Sequence, residues 1–282
     1  MSVILEKAQK LFLSDNDANV LTGHQFETVN YLVKDKIGII ELNRPNKMNA
    51  FNQTMRSELQ AAIEMADNND DLRVIMIRGA GDHFSSGADL KELVGAKHGI
   101  EAQILNEYKP FLSRIAQSKK IYMAVVQGAA AGIGGSLALN CDLVVMAESA
   151  CLFQAFAAIG LVPDGGASWH LVNKLGYKKA FELCVEADKL TALECLSSGL
   201  VNRISDDASV QGDALVWAQK LATGAPLSQQ YLKRLLQQAQ RGSLHDTIRQ
   251  EALYQQFCFN SDDFKEGVNA FFEKRDATFT GK

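Results

Sequence analysis

The sequence predicts an α/β protein with a helical C-terminal region, and three observations carry that reading. Two continuous apolar runs, Val74-Ile75-Met76-Ile77 and Met123-Ala124-Val125-Val126, have the character of strands buried on both faces. Each leads through a turn of small residues into a helical pattern, at 74–93 and again at 122–140. Beyond residue 205 strand signals cease and helical periodicity takes over. The chain therefore divides into an N-terminal extension at 1–25, an α/β core at 26–205 and a helical region at 206–282.

The elements follow in order. Ile4, Leu5, Ala8, Leu11 and Phe12 fall at helical spacing, which predicts a short amphipathic extension before a loop at SDNDAN. FETVNYLV and IGIIEL read as two strands joined by a turn at Lys34-Asp35-Lys36. Asn52 is placed to cap a helix whose apolar stripe runs through Met55, Leu59, Ala62 and Met65. In the second half a helix is expected at 177–187, a capped start at Thr191-Ala192-Leu193-Glu194 and a short strand at 199–204. Helices at 210–222, 226–241, 243–259 and 262–274 complete the chain, and the stripe Leu244, Ile248, Leu253, Phe257 reads as core or subunit contact.

Composition narrows the function classes. At 282 residues, 47% hydrophobic and 22% charged, the chain can bury a sizeable core. A net charge of −4 gives no basic excess for nucleic acid, so an acidic ligand must be met by locally placed Lys or Arg. No run of 18 apolar residues predicts a membrane span, and the N-terminus lacks the marks of a secretion signal. The five cysteines are odd in number and form no C-x-x-C pair, which predicts buried free thiols in a reducing cytoplasm. His83 and His170 have no partner at metal-ligand spacing, so no metal is expected.

The chemistry-bearing stretches are the two turns, Phe84-Ser85-Ser86-Gly87-Ala88-Asp89 and Gly128 through Ser136. Their glycines allow tight turning and close approach of a ligand to backbone, and a loop entering a helix leaves N–H groups unpaired. Two such units could aim N–H donors into one cleft, the arrangement a thioester carbonyl needs as it becomes an enolate. Close helix–strand packing alone also accounts for each glycine cluster. Asp164, in Val162-Pro163-Asp164-Gly165, is in turn-forming company, and Asp89 suits a helix cap.

LNRPNKMNAFN, FSSGADL, GAAAGIGGSLALNCDLVV, IGLVPDGG and EGVNAFFEKRDATF together resemble the crotonase (enoyl-CoA hydratase/isomerase) superfamily, in order, over about residues 26–282. The subgroup it most resembles is that of the 1,2-epoxyphenylacetyl-CoA and Δ3,Δ2-enoyl-CoA isomerases. The resemblance implies a ββα spiral core with a helical trimerisation region, assembly as a homotrimer or a hexamer of paired trimers, and an acyl-CoA substrate with no further cofactor. It implies an oxyanion hole from the backbone N–H groups of Ala88 and Ile133, the latter following Gly132. Hydratases of the family use two glutamates, and here those positions hold Ser136 and Phe156. Asp164 matches the isomerases' catalytic aspartate. By the same resemblance Arg44 and Lys47 lie near the CoA entrance, the backbone of Ala88, Asp89 and Leu90 lies beside the CoA, and Phe271 and Lys274 reach the CoA of a neighbouring subunit. A solvated charged face is the other reading of Lys47 and Lys274. The resemblance thus implies an isomerase using one aspartate; a hydratase and a non-catalytic acyl-CoA-binding homologue are the alternatives.

Overall fold

The computed structural model describes residues 22–94 and 99–282. The amphipathic extension expected over residues 4–12 lies outside the described residues. The first strand, β1 (Thr22–Gln25), pairs antiparallel with β2 (Val29–Lys34), which pairs antiparallel with β3 (Ile37–Leu42). β1 was not visible in the sequence because all four of its residues are exposed and polar or small, so no apolar alternation marks it. From β3 the sheet continues in parallel through β4 (Val74–Gly79), β5 (Ile121–Val126), β7 (Leu143–Ala147) and β10 (Arg203–Ser205).

All six residues of β4 are buried, as its unbroken apolar run demands of a central parallel strand. Helix α1 (Gln53–Asn68) covers the sheet with Met55, Leu59, Ala62, Ile63 and Ala66 buried. Its first turn is capped by Asn52, whose side chain accepts from the Met55 N–H at 2.9 Å. Met65 departs from the expected stripe and is exposed, because the buried face follows Ile63 and Ala66 instead.

A second, three-stranded sheet holds the site. In it β8 (Cys151–Phe153) lies parallel to β6 (Ala129–Ala131) and antiparallel to β9 (Lys189–Thr191). The chain between the two sheets carries the glycine turns. After β4 come the short helices α2 (Leu90–Val94) and α3 (Ile100–Gln103), a π turn over Ile104–Tyr108, and α4 (Lys109–Gln117). After β6 comes α5 (Ile133–Asn140), of which every residue but the last is buried. α6 (Ala167–Glu186) starts ten residues before the predicted helix because the Gly165-Gly166 turn already launches it; Gly176, at φ 73°, kinks it where the sequence pattern seemed to begin.

α7 (Ala192–Ser197) opens with the expected capping box between Thr191 and Glu194. The strand expected at 199–204 forms only at Arg203–Ser205. The remaining helices are α8 (Val210–Ala222), α9 (Pro226–Ala239), α10 (Leu244–Phe259) and α11 (Asp262–Glu273). α9 and α10 have no buried residue, and Leu244, Ile248, Leu253 and Phe257 are all exposed, so that stripe is not core of this chain. All five cysteines are free thiols, Cys141 and Cys195 buried. No helix among the described residues is long and apolar enough to cross a membrane.

The packing of α5 against the first glycine turn fixes the site's frame. A Cβ at Gly134 would lie 2.6 Å from the Ser85 Cβ, so only glycine admits this contact without a shift. Gly134→Ala is therefore expected to destabilise the fold by about 1–3 kcal/mol, measured as a lower urea midpoint.

Candidate active site

The two glycine turns are stitched to each other by backbone. Ser85 N–H donates to Ala129 O at 3.0 Å and Ala131 N–H donates to Ser85 O at 2.8 Å, forming a one-residue parallel bridge. The other side of the first turn is bridged to Phe51: its N–H donates to Gly87 O at 2.8 Å, and Phe51 O accepts from Asp89 N–H at 3.1 Å. In such a bridge the N–H of the intervening residue, Ala88, faces away from Phe51. Among the described residues it finds no acceptor, and the same holds for the N–H of Ile133 at the start of α5.

Gly87 (φ 95°) and Gly132 (φ 51°) bring these two amides together. A Cβ at Gly87 would lie 3.0 Å from Ala131 O, and one at Gly132 would lie 3.7 Å from Gly87 Cα. Positive φ disfavours a side chain at both glycines, and at Gly87 a Cβ would also crowd Ala131 O. Two amides without acceptors at adjoining turns, one of them at a helix N-terminus, are donors of the kind that can hold an anion.

They border a cavity of about 910 Å³. Ala88, Gly132, Ile133 and Asp164 line it, together with Phe156. Arg44, Lys47, Asp89 and Leu90 line it as well. Phe271 and Lys274 do not: both lie on or at the end of α11, away from this cavity, with Phe271 exposed. Phe156 closes over Gly132, its ring 3.7 Å from where a Cβ would sit.

Three carboxylates line the cavity, and two are already engaged. Asp89 pairs with Arg44 at 3.0 Å. Burial pushes the Asp89 carboxyl up, but the Arg44 guanidinium and the N–H groups of Lys91 and Glu92 outweigh it and hold it below the usual range. Glu92 pairs at 2.8 Å with Arg56, a buried guanidinium that also binds Glu107 and donates to Phe51 O. Asp164 has no such partner, and its Oδ1 is buried without a hydrogen bond. Burial alone raises its carboxyl to about 6.

The backbone of Asp164, by contrast, is firmly held. Ser136 Oγ donates to Asp164 O at 2.8 Å, and Asn140 Nδ2 donates to Gly165 O at 2.8 Å. A Cβ at Gly165 would meet Ile133 Cδ1 at 2.6 Å, so α5 presses directly on this loop. One helix thus supplies an amide at its start and anchors the carboxylate's loop along its side. His170 is no rival base, since burial first and Lys174 second lower it to about 4. His83 is engaged structurally, its Nδ1 accepting from Ala129 N–H.

Sequence reasoning missed Arg56 and Tyr108. Tyr108 closes the π turn, forms part of the cavity wall and is wholly buried. Its hydroxyl accepts from Gln103 Nε2 at 2.8 Å, and burial, then the charge of Asp164, raises it to about 12. Nothing in the Asn106-Glu107-Tyr108-Lys109 stretch signals this, because a π turn has no sequence period of its own.

A model of the enoyl-CoA hydratase/isomerase family matches residues 33–282. The chain belongs to that family and to the crotonase superfamily that contains it. It is 35% identical over 257 residues to a probable enoyl-CoA hydratase of Rhodobacter capsulatus, covering 91% of this chain and 99% of that one. It is 32% identical over 254 residues to the 1,2-epoxyphenylacetyl-CoA isomerase of Escherichia coli, covering 89% and 97%. A solved enoyl-CoA hydratase subunit from Geobacillus kaustophilus superposes with a TM-score of 0.86 at 32% identity, over 92% of this chain and all of that one. The spiral α/β core with a helical C-terminal region is thus the family's fold.

Asp164 costs the fold stability. Its native carboxyl, at about 6, binds a proton more tightly than an unfolded aspartate at about 3.9. Stability therefore falls as pH rises between those values, by at most on the order of 2–3 kcal/mol, and stays reduced above them. Asp164→Asn is expected to raise the melting temperature by several degrees at pH 7.5 and to leave it nearly unchanged at pH 4, as read by calorimetry.

Proposed function

We propose that the chain is an acyl-CoA isomerase that shifts a double bond from the 3- to the 2-position of an enoyl-CoA, or rearranges a ring-bearing phenylacetyl-CoA derivative. The observation that carries this reading is the single unpaired carboxylate: of Asp89, Glu92 and Asp164, only Asp164 is free of a cation. Its raised pKa suits a group that takes a proton and gives it back near neutral pH.

The thioester oxygen accepts hydrogen bonds from the N–H groups of Ala88 and Ile133. Asp164 removes a proton from C2, and the electron pair moves into the carbonyl to give a dienolate. Those amides hold the new oxyanion. Asp164 then returns the proton to C4 as the electrons re-form the carbonyl and the C2=C3 bond. Phe156 and Ile159 on the cavity wall keep water from intercepting the intermediate.

Hydration is the second reading, favoured by the hydratase names among the relatives. It needs one group to activate water and another to deliver a proton. At the hydratase positions Phe156 offers neither, and the Ser136 hydroxyl donates to Asp164 O and sits against Gly132 O. For CoA, Lys47 is exposed at the cavity rim, whereas Arg44 reaches it already bound to Asp89. Phe271 and Lys274 serve the CoA of a neighbouring subunit in a trimer or hexamer, which also covers the exposed apolar faces of α9 and α10. The CoA thioester is the substrate, and the chemistry calls for no other cofactor. Five free thiols support a cytoplasmic setting.

With trans-3-hexenoyl-CoA, the wild type is expected to form the conjugated 2-enoyl thioester, followed by absorbance, and Asp164→Asn to lose about a hundredfold or more. Equal rates in the two proteins remove Asp164 from the mechanism, and hydration of crotonyl-CoA that survives the substitution favours the hydratase. In the wild type, kcat/KM is expected to rise with pH and level off above an apparent pKa near 6, the sign of a base active when deprotonated.

A further inference from the structure

Tyr108 and Asp164 line the same cavity, and no hydrogen bond joins their side chains. The Tyr108 oxygen accepts from Gln103 Nε2 at 2.8 Å, which orients the phenol and occupies one of its lone pairs. Its own proton has no acceptor among the described residues. Across the cavity, Asp164 Oδ1 is buried with no donor. The two are near enough that the carboxylate's charge hinders ionisation of the phenol. Ile100, Ile104 and Phe156 add apolar surface to the same cavity. An acyl chain made only of carbon and hydrogen fills this space but leaves the phenol proton unpaired, which is unfavourable in a buried site.

We propose that Tyr108 is a specificity-determining residue that donates its phenolic proton to an oxygen atom on the acyl part of the substrate, so that the site selects acyl-CoA thioesters bearing a hydroxyl, ether, epoxide or carbonyl oxygen beyond the thioester. Gln103 is its positioning residue: by donating to the phenol oxygen it turns the proton toward the cavity. The Arg56 cluster supports the same wall, tying Glu107 of the π turn to Glu92 of α2 and to Phe51 O. The proposal deepens the acyl-CoA reading of this site but needs no particular reaction there.

The test is binding rather than turnover. Dissociation constants are measured by calorimetry for heptanoyl-CoA and for three ethers in which oxygen replaces the fourth, fifth or sixth atom of the acyl chain. These ligands match in shape and differ in one acceptor. The wild type is expected to bind at least one ether about fivefold or more tightly than heptanoyl-CoA, the scale of one neutral hydrogen bond. Tyr108→Phe is expected to bring that ratio to one or below, and Gln103→Leu to reduce it partway. A wild type with no preference for any ether overturns the proposal, and so does a folded Tyr108→Phe protein that keeps the preference. A protein that prefers an ether yet fails to isomerise 3-hexenoyl-CoA retains this assignment and loses the isomerase; an active isomerase without the preference does the reverse.

Discussion

The site depends on the close approach of two backbones at Gly87 and Gly132. No side chain creates this pair of open amides; it arises because two turns, each launched from a buried parallel strand, are hydrogen-bonded to each other through Ser85 and Ala129–Ala131. That contact requires left-handed φ at both glycines and no Cβ at Gly134, where α5 meets Ser85. The apolar strands therefore do more than fill a core. Their burial sets the positions of amides that must be rigid before a ligand arrives, which is what preorganised electrostatic stabilisation requires.

Charge is distributed around this frame by pairing. Arg44 neutralises Asp89, and Arg56 neutralises Glu92 and Glu107, so these two guanidinium groups are spent on local carboxylates. Asp164 is the exception, held by its backbone and left alone at its side chain. A buried carboxylate without a partner is a cost to folding, and such groups cluster at functional sites. The contrast between these three acids separates paired from unpaired carboxylates more sharply than their positions in the sequence do.

Much of this was legible in the sequence, for definite reasons. The β4 and β5 runs, the Asn52 cap and the Thr191–Glu194 box act within a few residues and so leave local marks. The glycines of both turns and Asp164 could be named because their motifs are contiguous. Tyr108 and Arg56 could not, since Arg56 pairs with carboxylates 36 and 51 residues away and Tyr108 belongs to a cavity wall assembled by several elements. Met65 illustrates the limit of periodicity, where neighbouring Ile63 and Ala66 decided which edge of the helix is covered.

Ser136 grips the carbonyl of Asp164 and leaves its carboxylate untouched. The scaffold thereby separates the open amides of the site, which are main chain, from its unpaired carboxylate, which is side chain. Exchanging Phe156 or Asp164 changes the proton inventory while leaving in place the Ser136 hydrogen bond that holds the loop. Such an arrangement is permissive in evolution: a main-chain frame can be kept while the side chains that face the cavity are exchanged.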